Sequence, residues 1–181
     1  MAIKNPAPYR GIQRPYTRKS KVKSKAYIKA VPPSSVVKYV MGNTQKWYKK
    51  EFPFRVDIIS EVDCQIRDVA LEASRQQILR EIGEQIGNDF YLNVAVAPHH
   101  ILREHKQAAV AQADRMSQGM ALSFGRTAGR AAQVHKGKSI FIIGLPTEQA
   151  VAKLRGIYNT TRAKMPVTTR FEVQKISNSS E

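Results

Sequence analysis

The chain has a single cysteine, Cys64, which excludes an intrachain disulfide and any zinc site built from several thiolates at fixed spacing. A small, buried apolar residue is the reading that suits it. No stretch approaches the roughly 18 to 20 consecutive apolar residues of a membrane-crossing helix. The N-terminal MAIKNPAPYRGIQRPY also lacks the apolar core of a signal peptide. These two absences predict a soluble protein that stays in the cytosol. A nucleotide-binding loop is missing as well. Gly119, Gly125, Gly129 and Gly137 follow neither GxGxxG nor GxxxxGK[ST], because residue 132, where Gly137-Lys138-Ser139 would need its first glycine, is alanine. Acid is scarce in places: residues 1–50 contain no Asp or Glu, and the first carboxylate is Glu51.

What is present is charge of one sign. The net charge is +16 over 181 residues, and such self-repulsion calls for a polyanionic partner, either nucleic acid or an anionic membrane surface. Thirteen Lys and Arg fall within residues 1–50. Residues 51–114 carry a net −5 and residues 115–181 a net +8. Between Asp114 and Glu148 acid is again absent, while Arg115, Arg126, Arg130, Lys136 and Lys138 all fall there. Two basic stretches therefore flank a core of mixed charge. The first also interleaves Tyr9, Tyr16, Tyr27, Tyr39, Trp47 and Tyr48 with its cations. Aromatic faces and guanidinium planes stack on unpaired bases, and a merely solvated tail has no use for them. Pro6, Pro8, Pro15, Pro32 and Pro33 favour extended backbone. Residues 1–50 thus read as an extended basic arm, and 51–181 as a single domain.

Periodicity organises that domain. FRVDIISEVDC, residues 54–64, alternates as a strand with Phe54, Val56 and Ile58 on one face. In the helix that follows, Leu71, Ile78, Leu79, Ile82 and Ile86 share an arc, with Ala70 and Ala73 opposite, and Gly87-Asn88 ends it. FYLNVAVA, residues 90–97, is a strand with Leu92, Val94 and Val96 inward, closed by Pro98. SIFIIGL, residues 139–145, is a buried strand. Thr147 is an N-cap with Glu148 in the first turn, for a helix that buries Ala150, Val151, Leu154, Ile157, Tyr158 and Thr161 and stops at Met165-Pro166. VTTRFEV, residues 167–173, closes the order. The sum is an α+β two-layer sandwich, a mixed or antiparallel sheet carrying two helices.

Between Pro98 and Ser139 lie some forty residues without clear periodicity, far beyond the ~12 to 15 at which a loop in a compact domain becomes functional in its own right. Rich in Ala, Gly, Gln and cations, this long internal loop reads as an RNA-facing extension. Met116, Met120 and Phe124, four apart, fit a small helical core and direct RNA contact equally well.

At this point the motifs converge. RPYTRK (14–19), MGN (41–43), ALEASR (70–75), PHHILREHK (98–106), ADRMSQGM (113–120), FGRTAG (124–129) and KGKSIFII (136–143) occur in this order over nearly the whole chain. Together they resemble the universal large-subunit ribosomal protein family called L-sixteen in bacteria and L-ten-e in archaea and eukaryotes, the archaeal branch fitting best. The resemblance implies an α+β sandwich docked on large-subunit ribosomal RNA beside the cleft for aminoacyl-tRNA. Its loop, here about Leu102 to Arg130, points toward the peptidyl transferase centre. The chain departs from the family at AAVAQ, 108–112, where relatives carry a more glycine-rich run before ADRM.

With the resemblance, the side chains expected on ribosomal RNA are Arg10, Arg14, Tyr16, Arg18, Lys19, Lys21, Lys23, Lys25, Arg103, His105, Lys106, Arg126, Arg130, Lys136 and Lys138. Arg115, Met116, Gln118, Gly119 and Met120 fall midway along the loop and are expected nearest tRNA. Neighbouring ribosomal proteins are the other partners; no cofactor, metal, membrane or second copy of the chain is expected.

Two other classes compete. An RNA-modifying or RNA-cleaving enzyme would use His99, His100 or His105, but adjacent His99 and His100 point apart on regular backbone, and Glu104 has no paired acid. A membrane-surface protein would need an amphipathic helix or lipid anchor, which the proline-rich residues 1–33 do not supply and which a start without MGxxxS does not add.

Overall fold

The computed structural model describes Gly11, Ile28 and residues 30–104 and 126–176. In chain order these form β1 (Val40–Gly42), α1 (Thr44–Tyr48), β2 (Phe54–Ser60), β3 (Cys64–Arg67), α2 (Asp68–Gln85), β4 (Tyr91–Val94), β5 (His100–Glu104), β6 (Arg126–Val134), β7 (Ser139–Leu145), α3 (Glu148–Arg162) and β8 (Thr169–Lys175). The fold is α+β, as the periodicities predict. One sheet runs β1-β4-β7-β2-β8 and a second runs β3-β6-β5. Every pairing is antiparallel.

SIFIIGL reads as an unbroken apolar run because β7 lies in the middle of its sheet, where Ile140, Phe141, Ile143 and Leu145 are all fully buried. Its neighbour β2 places Val56 opposite Ile143 and Ile58 opposite Phe141. Helix α3 lays Ala150, Leu154, Ile157, Tyr158 and Thr161 against this sheet. Each large apolar side chain so covered contributes about 1.5 to 3 kcal/mol. Thr147 caps the helix by accepting from the Ala150 amide at 3.3 Å, as expected. At the far end the Tyr158 hydroxyl donates to the Thr169 carbonyl and ties α3 to β8.

Helix α2 buries Leu71, Ile78 and Ile82 and ends at Gly87, whose φ of 99° is the left-handed cap that glycine takes freely. A second face is buried too. There Arg75 donates to both oxygens of Glu72, at 2.8 and 2.5 Å, and to Met41 Sδ at 2.9 Å. These hydrogen bonds hold the Glu72 carboxyl below its ordinary range. Arg75's second partner, Met41, belongs to the basic stretch, which enters the fold well before Glu51. Val36 and Met41 are buried, and β1 pairs with β4.

Two expectations change in detail. FRVDIISEVDC is two strands: Ser60 Oγ donates to the Val62 carbonyl in a turn, and the chain leaves the large sheet for the small one at Cys64. Cys64 is buried there, as its lone occurrence suggested, and burial pushes its thiol up. The stretch from Pro98 to Ser139 is not loop throughout. It holds β5 and β6, which pair antiparallel, while residues 105–125 of the expected loop lie outside the described residues. The pairing escapes a hydrophobicity pattern because β6, RTAGRAAQV, packs with alanine and glycine.

Candidate nucleic-acid interface

The hairpin sheet is built around β6. On one side it pairs with β3, setting Ile66 opposite Ala132 and Cys64 opposite Val134. On the other it pairs with β5, setting His100 opposite Ala131, Ile101 opposite Arg130 and Glu104 opposite Arg126, with a register shift between Leu102 and Arg103. Ala131, Ala132 and Val134 are buried and anchor the strand, while its two ends present cations. Arg126 is exposed at the outer end. At the inner end a turn closed by Lys138 N donating to His135 O at 3.1 Å, with Gly137 at φ 82°, exposes Lys136 and Lys138. Asp63 fixes this turn by accepting from the Lys136 amide at 2.6 Å. The side chains of Arg126, Lys136 and Lys138 form no ion pair among the described residues. At ~3.3 Å per residue the row from Arg126 to Lys136 extends about 30 Å, and its cations are available to phosphate.

The basic N-terminal stretch crosses the same region. Arg130 Nε donates to the Pro32 carbonyl at 2.7 Å, and the Ser35 amide donates to Asp68 Oδ2 at 2.9 Å. Further back along the chain, Gln65 Nε2 on β3 donates to the Gly11 carbonyl at 2.6 Å. Arm and hairpin are therefore joined by hydrogen bonds to backbone atoms of the arm at Gly11, Pro32 and Ser35.

Next to this sheet His99 and His100 diverge, as adjacent residues on extended backbone do. His99 is exposed, whereas His100 is 7% exposed. Burial, with a contribution from the charge of Arg103, pushes the His100 imidazole down, so it is neutral near pH 7. Both line a cavity of about 400 Å³ with Ala95, Ala97, Gln133 and Lys138. No group of three His, Cys, Asp or Glu side chains suited to a metal ion occurs among the described residues.

The model of the family described as Ribosomal protein L16p/L10e matches residues 12–172. The chain belongs to this ribosomal protein family. Large ribosomal subunit protein uL16 of Methanococcus maripaludis (strain C7 / ATCC BAA-1331) is 42% identical over 180 residues, spanning 97% of this chain and 96% of that one. The protein of the same name from Methanoculleus marisnigri is 37% identical over 176 residues, with 93% and 95% covered. That of Pyrobaculum arsenaticum is 36% identical over 168 residues, with 92% and 88% covered. These are archaeal relatives, the branch to which the sequence motifs pointed.

As a member of the L16p/L10e family the chain is a structural ribosomal protein and not an enzyme. The reading of His99, His100 and His105 as catalytic falls with this. Of the side chains expected on RNA, the structure brings Arg103, Arg126 and Arg130 together on the hairpin and sets Lys136 and Lys138 on the turn beside it. Arg10, Arg14, Tyr16, Arg18, Lys19, Lys21, Lys23, Lys25, His105 and Lys106 lie outside the described residues, as do Arg115, Met116, Gln118, Gly119 and Met120. Sequence reading missed Gln65 and Asp68, which hold the arm. Both are polar residues buried by partners 54 and 33 positions away, and no local pattern marks such a contact.

Proposed function

We propose that this protein is a structural constituent of the large ribosomal subunit in the cytoplasm, held on ribosomal RNA beside the aminoacyl-tRNA site, with its long internal loop, about 102–130, directed toward the peptidyl transferase centre. The observation that carries the reading is the row of cations along β6 and its turn, of which Arg126, Lys136 and Lys138 form no ion pair among the described residues, joined to a basic arm that meets the same sheet. Lysine and arginine there exchange counterions for phosphates. If about eight phosphates are met, log affinity falls with log salt at a slope near −6 to −7. Arg103, Arg126, Arg130, Lys136 and Lys138, with the arm cations Arg14, Arg18, Lys19 and Lys21, carry this contact. Neighbouring ribosomal proteins complete the surroundings.

Residues 105–125, between the hairpin strands, include the side chains assigned to tRNA. Arg115 meets a phosphate, and Gly119 permits close backbone approach. Ribosomes carrying a deletion of residues 112–121 test this part: assembly proceeds, because no described core residue is removed, and tRNA accommodation slows. Elongation at the normal rate in those ribosomes would refute the tRNA assignment. Replacing Arg14, Arg18, Lys19 and Lys21 by alanine tests the RNA contact, with weaker subunit incorporation and an intact melting transition as the expected result.

A further inference from the structure

The aromatic residues of the basic stretch do not share one fate. Tyr39 packs on the core. Trp47 stacks on Tyr91, with ring centroids 4.3 Å apart and planes within 6°. It also occupies the notch left by Gly144, where a Cβ would lie 2.8 Å from Trp47 Cε3. Consecutive residues on a helix diverge by about 100°. With Trp47 turned inward, Tyr48 is turned outward and is 79% exposed.

The short helix α1 that sets this direction is fixed at both ends. Asn43 caps its start by accepting from the Lys46 amide at 3.1 Å. At its end the Lys50 amide donates to the Trp47 carbonyl at 3.1 Å and the Glu51 amide to the Lys46 carbonyl at 3.0 Å. That closure needs a left-handed residue, and Lys50 supplies it at φ 57°. Glycine takes this conformation without steric penalty, so a lysine here lowers stability. What it adds is an exposed cation two residues along the chain from Tyr48. Lys49 is 72% exposed, and its only ion-pair contact among the described residues, with Glu51, is stretched to 4.0 Å. Lys46, by contrast, is taken up by Asp89 at 2.8 Å.

We propose that Tyr48, Lys49 and Lys50 form a stacking site for an unpaired RNA base, the ring taking the base and the two lysines its flanking phosphates. The proposal rests on the RNA-binding reading above and adds a contact on the large sheet, apart from the hairpin. Lysine is depleted from the cores of protein–protein interfaces, whereas an aromatic ring between cations is the arrangement single-stranded nucleic acid uses.

Fluorescence anisotropy of the full chain with an end-labelled single-stranded oligoadenylate, and with a duplex RNA of equal length, tests the site. Trp47, the chain's one tryptophan, reports from the adjacent position. Oligoadenylate is expected to change Trp47 emission. Tyr48→Ala weakens the single strand by about tenfold and the duplex little, while Tyr48→Phe binds like the parent. Lys50→Gly melts at a higher temperature yet binds the single strand more weakly, which separates lost binding from lost folding. Tyr48→Ala binding the single strand as tightly as the parent would overturn the proposal, as would an equal loss toward both RNAs. A parent chain that bound neither RNA would remove the RNA-binding reading itself, and the site with it.

Discussion

Replacing two glycines by alanine should move stability in opposite directions, although the chemical change is the same. At Gly42 φ is 84°, and an added Cβ would stand 2.1 Å from the Phe90 carbonyl oxygen and 2.9 Å from its carbon. The obstacle is backbone. It is held by the Asn43 amide donating to that oxygen at 2.7 Å and by the pairing of Gly42 with Tyr91. The left-handed conformation alone costs an alanine about 1 to 2 kcal/mol. Displacing Phe90 loses at least one hydrogen bond of about 1 kcal/mol, so Gly42→Ala should destabilise by about 3 kcal/mol. At Gly156, inside α3, no atom lies within 4 Å of the new Cβ. Alanine there recovers the helix propensity glycine lacks and should stabilise by about 0.8 to 1 kcal/mol. Urea unfolding followed by circular dichroism and by Trp47 emission measures both, the latter also detecting release of β1 and α1 from the sheet. A Gly42→Ala variant within about 1 kcal/mol of the parent would refute the steric reasoning. So would two variants shifted in the same direction.

Three further outcomes follow from the buried polar groups and the strained cap. Glu72→Ala leaves the buried Arg75 guanidinium without its main partner and should cost about 3 to 5 kcal/mol in chemical denaturation, whereas Glu72→Met with Arg75→Leu recovers most of it. For His100 the folded state lowers the pKa below the ordinary 6.5, so the stability it contributes is present above pH 6.5 and is lost as pH falls below that value. Melting temperatures across that range should fall less steeply for His100→Phe than for the parent, and identical slopes would count against the assignment. Lys50→Gly should stabilise by about 1 kcal/mol, read by the same urea titration.

Legibility in the sequence tracked the kind of contact each element makes. Strands β2 and β7 and helices α2 and α3 bury large aliphatic side chains at their own repeat, so Val56, Ile78, Phe141 and Leu154 could be placed without coordinates. The Thr147 cap was equally local. β3, β5 and β6 were not legible as a sheet, since β6 buries alanines and its neighbours are short. α1 was hidden for another reason. Its orientation comes from Trp47 meeting Tyr91 and the space at Gly144, contacts made across 44 and 97 residues of chain. Of the interface, composition identified the cations but not their order in space. Lys136 and Lys138 are presented by the Asp63-fixed turn beside the hairpin on which Arg126 stands.

The strand that was hardest to read is also the one the proposed interface needs most. Residues 32–35 of the basic stretch meet this sheet where β6 is built mainly from small residues. At Gly129 the Asp68 carboxylate, which accepts from the Ser35 amide, lies 4.0 Å from where a Cβ would stand. One residue on, Arg130 reaches the Pro32 carbonyl. β6 lacks alternation because it is built from small residues, and beside them the hydrogen bonds at Pro32 and Ser35 join segments of chain nearly a hundred residues apart. A flexible tail of equal charge would also bind RNA, but it would order its backbone only on binding and lose affinity to that ordering. The hydrogen bonds that hold Gly11, Pro32 and Ser35 remove part of that loss at those residues beforehand.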